Sequence, residues 1–246
     1  VVLAGIADGT PRSENISERP HGCVILFRGK LPHAVVKFYY TKKSFLCYDN
    51  NRRISCCSFC SMQDMEEIFM RPVFRSSERN IDNTGATLVT AQLQALIDET
   101  AAAGGILILE NGTYQTASLF LKSGMEFHME ENTVLLGTTD ESQYPIIDTR
   151  VAGIEMKWYP GVLNVNDQKD VVISGGTING QGEYWWSKYW GDDMQGGMRK
   201  EYDARGLRWA CDYDCMRVRN VVVMNSSNVT LKDVTSTRSG FWNFHV

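Results

Sequence analysis

The 246-residue chain predicts an all-β architecture, a parallel β-helix closed at its N-terminal end by one helix. Three observations predict it. One amphipathic helical pattern is followed by no other long one. Eight short β-rich pieces come after it, divided by Gly, Asn and Asp. Three of these pieces share one shape, at spacings that suit stacked coils.

The helix comes first. Residues 90–103 place Leu93, Leu96, Ile97 and Thr100 at i, i+3, i+4 and i+7, on one helical face. Thr90 is the expected N-cap, and Gly104-Gly105 end the helix because glycine tolerates the left-handed conformation found there. The β-rich pieces are 106–109, 118–121, 125–129, 134–136, 162–165, 171–173, 221–224 and 229–234. Within them Met125-Glu-Phe127, Val171-Val-Ile173 and Val229-Thr-Leu231 each lie between polar turns, which makes Phe127, Ile173 and Leu231 equivalent interior positions. From 125 to 171 is 46 residues, read as two coils of 23; from 171 to 229 is 58, read as two coils plus the Trp-rich insertion at 184–209. No coil buries its apolar face alone. Stacking makes a shared interior, and the helix covers strand edges that would otherwise be open. A β-sandwich has similar strands, so periodicity by itself leaves both architectures open.

Composition divides the chain. Residues 1–80 carry 12 Lys+Arg against 8 Asp+Glu, and residues 81–246 carry 13 against 21. Four of the 21 glycines and five of the seven cysteines precede residue 81. The break falls near 71–80, so residues 1–71 are an unassigned segment and 72–246 the β-helix. In the first segment, 23–27 and 35–40 read as strands and 62–70 as a short helix. Cys57-Ser-Phe-Cys60 has Cys-x-x-Cys spacing, but Cys23 and Cys47 do not supply a second pair for zinc. The net charge of −4 argues against nucleic acid as the main partner. No stretch approaches the roughly 18 apolar residues that span a bilayer. The first 20 residues, with Asp8, Arg12, Glu14, Glu18 and Arg19, lack the apolar run of a secretory leader.

Three ordered motifs in 72–246 are more specific. Ser118–Gly137 reads Ser-Leu-Phe-Leu-Lys-Ser-Gly-Met-Glu-Phe-His-Met-Glu-Glu-Asn-Thr-Val-Leu-Leu-Gly. Gly175-Gly-Thr-Ile-Asn-Gly-Gln-Gly182 is followed by Trp185-Trp186. Asn228-Val-Thr-Leu leads to Ser239-Gly-Phe-Trp242-Asn-Phe-His245. Together they resemble the polygalacturonases, family 28 of the glycoside hydrolases. The resemblance implies a right-handed parallel β-helix with an N-terminal capping helix. It also implies hydrolysis of α-1,4 links between galacturonic acids in pectin, by inversion, with no cofactor and no metal. Such enzymes hold an acid and a base carboxyl group about 6.5–9.5 Å apart, leaving room for a water. In the family those aspartates lie in an Asn-Thr-Asp motif and an Asp-Asp pair after the Trp-x-x-His segment. Neither follows that segment here, so the chain reads as the family's N-terminal half without its catalytic residues. The rival expectation is a non-catalytic β-helix carbohydrate-binding protein.

The expected substrate-binding residues are Arg217, Trp242 and His245. A guanidinium binds a galacturonate carboxylate bidentately, so one of Arg217 and Arg219 is expected in the groove and the other in solvent. Trp242 belongs to the groove floor, and His245 is either a core or ladder histidine on the last strand or, as the resemblance implies, the family's Trp-x-x-His histidine close to the groove. Asp212 and Asp214 would share one face of a strand, as a carboxylate pair or a cation site, although a loop near the cleft explains them more simply. Asp192-Asp193 reads as a solvated loop. Tyr184, Trp185, Trp186, Tyr189 and Trp190 suit either sugar stacking or packing of the insertion. The partner implied is a pectic polysaccharide or oligogalacturonide, met by a monomer that is secreted or periplasmic, with no membrane contact. The sequons at Asn111, Asn225 and Asn228 matter only in a eukaryotic secretory host.

Overall fold

The computed structural model describes residues 22–25, 36–41, 44–49, 52–54 and 71–246. The chain divides into two units, Val1–Met70 and Arg71–Val246. In the first, β1 (Gly22–Ile25), β2 (Val36–Thr41), β3 (Ser44–Asp49) and β4 (Arg52–Ile54) form an antiparallel sheet in sequence order. Aromatic and β-branched residues such as Phe38, Tyr39 and Tyr40 favour this pleated arrangement. The expected helix at 62–70 and Cys56, Cys57 and Cys60 lie outside the described residues.

The second unit opens with β5 (Val73–Arg75), a 3-10 turn (Ser76–Arg79), β6 (Thr84–Leu88) and α1 (Thr90–Ala102). There follow β7 (Ile106–Leu109), β8 (Gly112–Thr116), β9 (Leu119–Phe120), β10 (Glu126–Met129) and β11 (Thr133–Gly137). The hairpin β12 (Ile147–Val151) and β13 (Ile154–Trp158) precedes β14 (Gly161–Asn166), β15 (Lys169–Ser174) and β16 (Thr177–Asn179). Three helices come next: α2 (Gly182–Trp190), α3 (Gly197–Ala204) and α4 (Arg208–Asp214). The described chain closes with β17 (Arg219–Met224), β18 (Ser227–Lys232), β19 (Thr235–Thr237) and β20 (Phe244–His245).

Three parallel sheets run along the stack. The first is β5-β7-β10-β15-β18, the second β6-β8-β11-β16-β19, the third β9-β14-β17-β20. After the first turn, in which α1 takes the place of the third strand, each turn of chain contributes one strand to each sheet, which is the parallel β-helix. In the first sheet Phe74, Leu107, Phe127, Ile173 and Leu231 are in register, one above the next. Leu107, Phe127 and Ile173 are fully buried, and Leu231 packs partly buried against the same core. Each such buried side chain contributes on the order of 1.5–3 kcal/mol.

The register corrects the coil count. Phe127 pairs directly with Ile173, and Ile173 with Leu231, so each window advances by one coil rather than two. The extra residues are excursions. The first spacing contains the hairpin β12–β13, and the second contains α2–α4.

α1 buries Leu93, Leu96, Ile97 and Thr100, the face its periodicity marks. Its N-cap is Val89, not Thr90. The Thr90 hydroxyl instead accepts the Ala117 N–H at 2.8 Å, beyond the end of β8. Gln94 does for β9 what a neighbouring strand would do. Its Oε1 accepts the Phe120 N–H at 2.8 Å, and its Nε2 donates to the Phe120 carbonyl at 3.0 Å. The open edge of the third sheet is thus paired by a side chain.

The paired glycines after β15 have a steric reason. Gly175 and Gly176 take φ +71° and +58°, and a Cβ on either would strike Met129. Only glycine allows the chain to turn this close to the rung below.

Candidate substrate-binding site at the third sheet

β14 and β17 are buried from end to end apart from their last residue, so both faces of these two central strands of the third sheet are covered. The inner face meets the core, and the hairpin and insertion reach the outer side. Trp158 Nε1 donates to the Arg217 carbonyl at 3.1 Å, and Trp185 Nε1 to the Gly180 carbonyl at 3.2 Å. Gly240 lies so close to Trp185 that a Cβ there would overlap the indole.

The insertion is fastened through Glu141. Its carboxylate accepts from Tyr159 at 3.0 Å, Tyr184 at 2.9 Å and Lys188 at 2.7 Å. Burial alone would raise the Glu141 pKa, but the ammonium and the two phenols outweigh it and hold it below the usual range. Around this point Trp185 meets Tyr144, Tyr159 and Tyr184 edge-on, with centroids 5.1–6.1 Å away. The Trp-rich stretch therefore packs through Trp185. Trp186 also donates to the Ser239 carbonyl at 2.9 Å, while Tyr184 and Trp190 keep partial exposure.

The three expected binding residues belong to one continuous stack. The Arg217 guanidinium lies 4.2 Å from the Tyr189 ring centroid and 4.4 Å from that of Phe241. Phe241 stacks on Trp242 at 4.3 Å, and Trp242 meets the His245 ring at 4.9 Å. His245 Nδ1 in turn lies 2.6 Å from Arg219 Nη1. Arg217 is buried with both faces occupied, and its charge is met by Asp212 at 3.1 Å. Neither arginine is in solvent, as had been expected of one of them, because Arg219 is fully buried as well.

Arg219 is the more unusual of the two. Its Nη atoms donate to the Arg150 carbonyl at 2.9 Å, the Tyr159 carbonyl at 3.0 Å and the Thr149 hydroxyl at 3.3 Å. Its Nε is buried without a partner, and among the described residues no carboxylate pairs with it. Burial lowers its pKa to about 10, which still leaves it charged at neutral pH. Charges on the hairpin β12–β13, which falls outside the β-rich pieces read from the sequence, lie nearby. Asp148, Arg150, Glu155 and Lys157 line a cavity of about 650 Å³ together with Met224 and Val246.

The acidic pairs separate. Asp212 and Asp214 lie on the helix α4, not on a strand; Asp212 faces Arg217, and Asp214 accepts the Tyr202 hydroxyl at 2.7 Å. Cys211 and Cys215 are free thiols buried beside Tyr189. Burial, helped by Cys215, pushes the Cys211 thiol up to about 11, so it stays protonated. Among the described residues no three His, Cys, Asp or Glu side chains gather as a metal site needs, and no helix is long and apolar enough to cross a membrane.

No family model matches this chain. Solved structures share its coil architecture. A hyperthermoactive exopolygalacturonase from Thermotoga maritima superposes with TM-score 0.58 at 23% identity, over 70% of this chain and 43% of that one. A family 28 exopolygalacturonase from Yersinia enterocolitica gives 0.54 at 17%, over 85% and 40%. A putative glycosyl hydrolase from Parabacteroides merdae gives 0.50 at 18%, over 70% of each. These likenesses define the class, a parallel β-helix of the kind found in glycoside hydrolases. In sequence, the chain is similar to a probable polygalacturonase from Vitis vinifera, 26% identical over an alignment of 172 residues that covers 65% of this chain and 31% of that protein. The resemblance to polygalacturonases is borne out, over part of their length. The chain spans about a third of this curated relative.

Proposed function

We propose that this chain forms coils of a polygalacturonase-type glycoside hydrolase that acts on α-1,4-galacturonosyl links in pectin. The observation that carries the reading is the register. The motifs that resemble the family fall on successive rungs of one stack, with Phe127, Ile173 and Leu231 aligned. In this reading residues 217–245 contribute a floor beside the substrate, built from Trp242 and His245 over the buried charge of Arg219, while Arg217, paired with Asp212, fastens the insertion beside it. The acid and base carboxyl groups of inverting hydrolysis come from the motifs that the family carries after its Trp-x-x-His segment. Asp212 and Asp214 do not fill those roles, because each is engaged in fixing the insertion.

The test uses the 246-residue chain, with its fold checked by circular dichroism. It is expected to bind tri-galacturonate in calorimetry and to release no new reducing ends from polygalacturonate at pH 4–8. General acid–base help is typically worth 10²–10⁴-fold, and without it turnover falls below detection. Equal affinity for a neutral galactan oligomer, or no affinity for either, would sink the reading. So would turnover that disappears in an Asp212→Asn, Asp214→Asn double variant.

A further inference from the structure

We infer that Arg219 is a positioning residue for His245, holding the imidazole neutral with its proton on Nε2, so that the ring offers a hydrogen-bond donor to a galacturonate oxygen. The ligand assignment rests on the function proposed above; the protonation state rests on geometry alone.

An arginine side chain has only donors. At 2.6 Å from Arg219 Nη1, His245 Nδ1 must therefore be the acceptor, which requires that this nitrogen carry no proton. A neutral imidazole whose Nδ1 accepts has its single proton on Nε2. Protonating Nδ1 would set two donors against each other and place a second positive charge against a buried guanidinium.

The surroundings enforce this arrangement. Arg219 belongs to β17 and is fixed by carbonyls of Arg150 and Tyr159 and by the Thr149 hydroxyl, so it cannot turn away without losing those bonds. All of these partners are neutral oxygens. The charged groups that act on His245 are Arg219 from β17 and Arg150 from β12, both positive, and Glu155 sits opposite Arg150 on β13. On its other side His245 meets the edge of the uncharged Trp242 ring. Burial first, then the two arginines, lowers the His245 pKa below the usual histidine value. Among the described residues Nε2 has no hydrogen-bond partner, and the side chain is only partly buried. A polar tip is thus left available while the opposite nitrogen is locked. A hydroxyl or carboxylate oxygen of an acidic sugar accepts from such a tip, and the adjacent positive charge favours the anionic form of that sugar.

The experiment is a long-range ¹H–¹⁵N spectrum of the imidazoles in the full chain at neutral pH, with His245 assigned by its loss in His245→Gln. The expected signature is an unprotonated Nδ1, a protonated Nε2 and a titration midpoint below about 6.5. Arg219→Gln is expected to raise that midpoint and mix the tautomers, and Arg219→Lys to restore the wild-type pattern in part. A protonated Nδ1 in the wild type, or a midpoint at or above the ordinary value, overturns the inference whatever the protein binds. If Arg219→Gln does not fold, the wild-type spectrum and Arg219→Lys still decide it. Addition of tri-galacturonate should shift the Nε2 resonance. The expected tautomer with no response to this sugar would overturn the ligand assignment and leave the positioning role standing.

Discussion

Along the first sheet, one buried column is made of plain hydrocarbons stacked one rung above another, Leu107 below Phe127 below Ile173. In the insertion of α2–α4 Trp185 joins the main core, and the remaining buried cluster is Tyr189, Cys211 and Cys215, clasped by Arg217 and joined to the coils through Glu141. The stack is held by burial that repeats with every coil. The insertion is too small to make such a core and depends on a few directed contacts between charges, rings and phenols. One region loses stability when volume is removed, the other when a single clasp is cut.

The largest effect should come from the column. Phe127→Ala is expected to cost about 3–5 kcal/mol and Ile173→Ala about 2–5, read from urea midpoints. Leu231→Ala should cost less than Ile173→Ala, because Leu231 is only partly buried. A loss under about 0.5 kcal/mol at Ile173 would show that the column is not what holds the stack.

A smaller and more local effect is expected from Arg217→Met. Each of its two ring contacts is worth about 0.5–2 kcal/mol. Asp212 is a third exposed, so the ion pair adds little. Amide exchange should quicken in α2 and α4 while β7, β10 and β15 stay protected. Uniform loss of protection would mean that the insertion and the coils unfold as one, and the contrast drawn here would fail.

The smallest effect is one of pH, at the start of the stack. Burial would raise the Glu110 pKa, but the hydroxyls of Ser76 and Ser77 and the Ser77 N–H outweigh it, and the pKa falls from 4.5 to about 2. A depressed carboxyl pKa stabilises the fold above the unfolded value and ceases to do so as pH drops through the folded one. Glu110→Gln should therefore melt at a lower temperature than wild type at pH 6, and the gap should close between about pH 4.5 and pH 2. A gap that persists at pH 2 would assign the effect to lost hydrogen bonds rather than to charge.

The sequence made much of the coil stack legible. Periodic apolar residues identified the buried face of α1, and the three windows identified a column of equivalent residues, because both signals are local and repeat. The number of coils was not legible. Ile147-Asp-Thr-Arg-Val151 has the look of any other strand, and nothing in it says that it pairs antiparallel with the next five-residue strand instead of joining the stack. The insertion was harder still. Its helices are seven to nine residues long, too short for a clear apolar period, so Asp212 and Asp214 read as loop or strand residues rather than helical ones. At the candidate site, Trp242 and His245 were singled out by motif, and they lie side by side. The clasp of Arg217 between Tyr189 and Phe241 was invisible, because it joins residues dozens of positions apart that follow no spacing rule.

Gln94 carries a consequence for synthesis on the ribosome. Its amide closes the lower edge of β9, so a new rung can add to the third sheet only on the opposite side. That side is the one reached later in translation. Chain emerges at about 5–20 residues per second, so the 20 residues from Leu107 to Phe127 take roughly 1–4 s. Where coils fold as they emerge, each finds the template for its strands already in place below it. The two excursions then act as pauses in this assembly, since the coils that contain them must wait two to three times as long to complete.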